Sequence, residues 1–207
     1  MDAKKIFNSL DQIKLSIDQH KDEIEKLDQE IGDGDHIFNI QRGIKESLDL
    51  KDELSDQAPN DVLKKIGMKI MTTVGGSSGA LFSTLLMGMS KKYNGELSDQ
   101  QNISEMFSEG VEAMKRRGKA DLGEKTMLDV LIPVSNELKK LSDQDDVKNT
   151  AEKIKEVAEK GMLSTKDLIA TKGRASFLGD RAKGHIDPGA RSSQLAIEAI
   201  CNSILNK

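Results

Sequence analysis

Aliphatic side chains recur three and four residues apart along almost the whole chain, and the rhythm fails at only four places. That spacing lines one face of an α-helix. Ile6, Leu10, Ile13 and Ile17 make such a face, and Ile24, Leu27 and Ile31 continue it. Ile40, Ile44 and Leu48 mark a second helix. Val62, Ile66, Ile70 and Val74 mark a third, with Asn60 as its expected cap. Further helices follow from Leu81, Leu85 and Met89, from Ile103, Phe107, Val111 and Met114, and from Met127, Val130, Val134, Leu138 and Leu141. Val147, Ile154, Val157 and Leu168 give a seventh, and Leu195, Ile197, Ile200 and Ile204 an eighth. No run alternates with strand period. The chain is therefore expected to be all-α, with about eight helices in an antiparallel up-and-down bundle or barrel.

At 207 residues the chain suits one domain, or two small ones, and can bury a core without cross-links. Its single cysteine, Cys201, lies in an apolar helical pattern and reads as core; it excludes an internal disulfide framework and suits a reducing compartment. A net charge of −4 argues against a nucleic-acid footprint. The opening MDAKKIFNSLDQ lacks the apolar run of a secretory signal, and no segment approaches the ~20 apolar residues of a membrane span. A cytoplasmic protein is expected, with neither membrane nor nucleic acid as partner. Aromatics are only 3%, so aliphatic side chains and nine methionines must fill the core.

The four interruptions are DQEIGDGDH, VGGSSGA (74–80), RRGKADLGEKTM (116–127) and TKGRASFLGDRAKGHIDPGA (171–190). If helices alternate in direction, all four joints fall at one end and build a single rim, where function tends to sit. The tetrapeptide LSDQ, at Leu54, Leu97 and Leu141, reads as recurring loop and cap vocabulary, since its surroundings do not repeat.

Asp28, Asp33 and Asp35 are gathered in the first joint. Three carboxylates on a glycine-bearing turn suit magnesium, which takes hard oxygen ligands, but spacing alone equally allows an ordinary solvated turn. The EF-hand pattern is missing, and zinc is disfavoured with no cysteine and one histidine nearby. In the second joint, glycines precede a helix start, where exposed N–H groups and the helix dipole attract phosphate, and Ser77 and Ser78 add hydroxyls. The P-loop lysine is absent, and a tight helix–helix turn is the plain alternative. The fourth joint mixes many charges with Phe177 and Leu178, as a packed loop closing over a ligand would; Arg174 could there neutralise phosphate. Met127 reads by itself as core, and His20 as solvated. Together these joints point to magnesium–nucleotide binding. No nucleophile with a partnered base is evident, and phosphoryl transfer needs none, so no catalytic residue is assigned.

LDQEIGDGDH, VGGSSGALF, RGKADLGEKTMLDV and KGRASFLGDRAKGHIDPGA together resemble the ADP-binding L-subunit family of bacterial dihydroxyacetone kinases, in order and spacing, over essentially the whole chain. The resemblance implies one nucleotide-binding domain, 1–207, folded as an eight-helix barrel with the nucleotide at one end. It implies that Asp28, Asp33 and Asp35 hold two magnesium ions. It implies nucleotide contacts from His36, Ile37, Phe38 and Asn39, from Ser77 and Ser78, from Gly118 and Met127, and from Arg174, Asp187, Pro188 and Gly189. The family often has glycine where Ile37 stands, so Ile37 and Phe38 are expected to contribute backbone only. A standalone chain resembles the phosphotransferase-system form. There ADP is retained and rephosphorylated in place by a phosphohistidine partner subunit, and dihydroxyacetone on a substrate-binding subunit receives the phosphoryl group. The rival readings are a nucleotide-binding subunit of a related sugar or polyol kinase using free ATP, a nucleotide-loaded module acting on a transcription regulator, and a metal-dependent phosphohydrolase.

Overall fold

A computed structural model describes residues 1–142 and 144–205. Among the described residues it contains ten α-helices and no strand. They are α1 (Ala3–Gln19), α2 (Lys21–Ile31), α3 (His36–Leu48), α4 (Lys51–Leu54), α5 (Pro59–Thr73), α6 (Gly76–Lys92), α7 (Asp99–Gly118), α8 (Leu128–Leu138), α9 (Val147–Ser164) and α10 (Pro188–Leu205). Short 3₁₀ turns cover Thr165–Asp167 and Arg174–Ala182. Among the described residues no helix is long and apolar enough to cross a membrane.

Packing follows a closed order: α1 on α3, α3 on α5, then α5, α6, α7, α8, α9 and α10 in turn, with α10 returning to α1. The apolar stripes face inward. Leu85, Val111, Met114, Val130, Val134, Ile154 and Cys201 share the largest cluster; Phe7, Leu54, Val62 and Ile66 form a second; Ile17, Ile24, Ile37, Ile44 and Leu195 form a third.

Several local expectations change. The first apolar face belongs to two helices, because His20 interrupts it at φ −107°, ψ 18°, with its Nδ1 on the Ser16 carbonyl 2.8 Å away. That histidine is half-buried at a helix junction rather than solvated. Helix α5 is capped at Ala58, not Asn60, because Pro59 takes the first helical position, where its missing N–H costs nothing. Of the LSDQ copies, Ser98 does cap α7, in a full capping box with Gln101. Ser55 does not cap α5, and Asp143 of the third copy lies outside the described residues.

Ile37 is resolved by burial. It sits in the first turn of α3, outside the positive-φ residues, and is 0% exposed. A β-branched residue meets no strain there and adds volume to the third cluster. Ile37→Ala is expected to lower unfolding free energy by about 2–5 kcal/mol, through lost transfer energy and an unfilled cavity. Urea denaturation monitored by helical circular dichroism measures this; a loss within 0.5 kcal/mol, about the scatter of a surface substitution, would contradict it.

Candidate nucleotide and metal site

Each of the four joints ends in a helix start: α3 after the acidic hinge, α6 after the glycine pair, α8 after the third joint and α10 after the fourth. Contacts tie the joints together. Arg174 Nε of the fourth lies 2.8 Å from Asp33 Oδ2 of the first. A Cβ added at Gly76 would lie 3.7 Å from Asp35 Oδ2 and 3.3 Å from Asn39 Nδ2, so the first and second joints meet. The Thr171 hydroxyl donates to Glu124 Oε1 at 2.8 Å, joining third and fourth. A Cβ at Gly118 would meet Leu81 Cδ2 at 3.2 Å, joining third and second.

One oxygen from each of Asp28, Asp33 and Asp35 lies within 4.8 Å of the others. Asp28, in the last turn of α2, is 4% exposed, and its Oδ2 accepts the His36 backbone N–H at 3.0 Å. A Cβ at position 32 would collide with the Asp28 carboxylate, so only glycine fits there. Gly34 then turns the chain at φ +77°, a conformation that L side chains rarely adopt. Asp33 and Asp35 are exposed. The set offers only carboxylate oxygens, two of them open to solvent, which fits a hard divalent cation such as magnesium rather than zinc. The Arg174–Asp33 pair is mostly exposed, and such pairs are worth only ~0–1 kcal/mol, so it can be exchanged readily.

Helices α3 and α6 begin beside these carboxylates without a side-chain cap. Their first N–H groups have no partner inside the helix and carry the positive end of the dipole. Ser78 is buried at the start of α6, Ser77 is exposed, and Asn39 is buried in the first turn of α3. The His36 ring turns to α10 instead. Its Nε2 is 3.0 Å from Ser192 Oγ, and the Pro188 carbonyl also bonds it. Burial lowers its pKa against the opposing pull of Asp28 and Asp35, so the ring is neutral near pH 7. Phe38 points outward under the Lys21 ammonium, 5.7 Å from the ring centroid.

Met127 immediately precedes α8, and its Cε would lie 3.3 Å from a Cβ at Gly189. Its side chain is half-buried against the largest core cluster. Gly118 ends α7. Asp187 Oδ2 accepts the Ala190 N–H at 2.7 Å and so caps α10 before Pro188 and Gly189, which are buried. Phe177 is 82% exposed, so the expected packing of the fourth joint rests on Leu178, which joins Ile31, Ala170, Ala175 and Ala182 in a small separate cluster.

The structure adds residues that the sequence reading did not single out. Asp129 shapes the third joint by accepting the Gly123 and Thr126 N–H groups, and is 1% exposed. Lys125 is also 1% exposed and adopts φ +58°. In an unaligned sequence both read as ordinary loop charges; only the return of the fourth joint onto the third buries them.

Comparisons with known proteins identify the family and the fold. A DAK2 domain model matches residues 30–202. The chain belongs to the DAK2-domain family. It is 42% identical over 187 residues to the ADP-binding subunit DhaL of PEP-dependent dihydroxyacetone kinase 1 from Listeria innocua, covering 89% of this chain and 88% of that one. It is 37% identical over 176 residues to the ADP-binding subunit DhaL of the Escherichia coli PEP-dependent dihydroxyacetone kinase, covering 84% of each. In fold it matches the C. freundii dihydroxyacetone kinase solved in complex with AMP-PNP and Mg2+, with a TM-score of 0.74 and 23% identity, over 95% of this chain and 33% of that one.

Burial pushes the Asp187 carboxyl up to about 7, opposed by the Ala190 N–H and by Lys125, and aided by the negative charges of Asp129 and Asp28. An acid whose folded pKa is raised stabilises the fold fully below its unfolded value, near 3.9, and loses that contribution as pH rises toward 7. In metal- and nucleotide-free protein, the stability of Asp187→Asn relative to the unaltered chain should therefore rise by a few kcal/mol, roughly, between pH 4 and pH 7.5. Paired urea titrations across that range read the difference. A difference that stays flat or falls would exclude burial as the dominant influence on this carboxyl.

Proposed function

We propose that this chain is the ADP-binding subunit of a phosphoenolpyruvate-dependent dihydroxyacetone kinase. The observation that carries the reading is the pairing of the acid triad with two uncapped helix starts, since carboxylates would otherwise repel the anion that those starts attract. Support also comes from relatives of nearly the same length that bear that name.

In this reading Asp28, Asp33 and Asp35 hold two magnesium ions, which neutralise both the carboxylates and the nucleotide phosphates. Asn39, Ser77, Ser78, the Ile37 and Phe38 amides of α3 and the first amides of α6 bind phosphate oxygens. The backbone at Ile37 and Phe38 contributes through those amides, while His36 fixes α3 against α10 from beneath. Gly118, Met127 and the Asp187–Gly189 turn lie on the base and ribose side. Arg174 lies beside the triad, where it can add positive charge. The retained nucleotide, alternating between ADP and ATP, carries a phosphoryl group from a phosphohistidine partner subunit of the phosphotransferase system to dihydroxyacetone on a substrate-binding subunit. The chain's own residues supply position and charge compensation, the main requirements of phosphoryl transfer.

Purified protein should carry nucleotide and magnesium without either being added, as read by absorbance after acid release and by metal analysis. Asp33→Asn should lower nucleotide retention at least about tenfold while leaving helical circular dichroism intact. Full retention in that variant would sink the metal assignment. With a substrate-binding subunit, dihydroxyacetone and a phosphoenolpyruvate-driven relay, product should form at only catalytic amounts of nucleotide. Product formed only with excess ATP would identify a free-ATP kinase instead.

A further inference from the structure

Residues 166–184 leave the helical ring after α9 and return just before α10. The neck of this excursion is closed by the Gly184 N–H, which donates to the Lys166 carbonyl at 2.8 Å. One residue further along each stem, the carbonyls of Thr165 and His185 both accept hydrogen bonds from Lys125 Nζ. The Thr165 hydroxyl accepts the Asp187 N–H at 3.1 Å and donates to the Met162 carbonyl at 2.7 Å, so the same point also anchors the turn into α10.

We propose that Lys125 is a positioning residue whose ammonium clasps the neck of segment 166–184 to the third joint, so that the Met127 side and the Arg174–Gly189 side of the site are held as one unit. The proposal rests on the nucleotide reading above for its consequence, but not for its geometry.

Three features support it. An ammonium has three donors and no acceptor, so it can satisfy carbonyls from two separate stems at once. Lys125 occupies a left-handed backbone conformation that suits glycine or asparagine, and its long side chain is fully enclosed; neither fits a solvated loop lysine. Asp187, Asp167 and Asp129 lie near enough to compensate the enclosed charge. The remaining ties of the segment are more exposed: Thr171 and Lys172 on Glu124 of the third joint, the Arg174–Asp33 pair, the half-exposed His185–Glu30 contact and the small cluster around Leu178.

Lys125→Met keeps the stem and removes the ammonium with all its donors, leaving two carbonyls without that partner. Amide hydrogen exchange in ligand-free protein should then show protection lost at Gly184 and Asp187 while α5 and α6 are unchanged. Dissociation of a fluorescent ADP analogue should accelerate roughly tenfold or more. Unchanged protection at both amides overturns the proposal, and so does a uniform loss across all helices, which would make Lys125 a residue of general stability. Should the variant fail to fold, the unaltered protein still decides. Its Gly184 and Asp187 amides should open with the same free energy, because one clasp holds both; independent opening overturns the proposal. If the unaltered protein binds no ADP analogue, the nucleotide reading fails while the exchange measurements still test the clasp.

Discussion

Asp28 sits in the last turn of α2 with its carboxylate on the first amide of α3. This one contact links the end of one helix to the start of the next and holds a negative charge at 4% exposure, where it would be costly alone. Its neighbours follow from it. Residue 32 must be glycine to leave the carboxylate room, the chain must then reverse, and the reversal delivers Asp33 and Asp35 to the same few ångströms. A cation placed there would complete the compensation that one backbone amide begins.

The ring of helices extends this local arrangement. Because neighbouring helices reverse direction between joints, the rim collects the starts of α3, α6, α8 and α10. Two are already satisfied by carboxylates: Asp187 caps α10, and Asp129 binds the turn leading into α8. Asp129 holds that turn without capping the helix itself, so α3, α6 and α8 all lack a side-chain cap, and α3 and α6 are the two beside the acid triad. In the proposed reading, the α6 start and the α3 amides beyond His36 would take phosphate beside the carboxylates, with the base toward the α8 and α10 starts.

Much of this was legible in the residues because it depends on local chemistry. Helical period exposes the joints, and the acid hinge and the glycine pair announce themselves by composition. What was hidden depends on contacts distant in sequence. Lys125 reads as one more loop cation until residues 165 and 185 return on either side of it. Phe177 reads as packing material in a charged loop, yet its neighbour Leu178 takes the apolar seat beside Ile31 and Ala175. Ile37 stands where the family often has glycine, and a β-branched residue is strained there only if φ is positive. The left-handed turn is at Gly34, and α3, which begins at His36, gives the side chain a core to fill.

The distribution of apolar contacts also explains why polar contacts must organise the fourth joint. The helices share three large clusters, whereas segment 166–184 has one small cluster built mostly of alanines. So few methyl groups bury too little area to fix nearly twenty residues against their conformational entropy. The segment is instead fixed at its stems, by enclosed hydrogen bonds from Lys125 and Thr165, and more lightly beyond them, by Thr171 on Glu124 and the exposed Arg174–Asp33 pair. Firm stems with a lightly held tip let the outer part adjust to a ligand without disturbing the helix starts beneath it. This is the allocation of stability that the proposed function would require, since such a site would hold one ligand while presenting it to others.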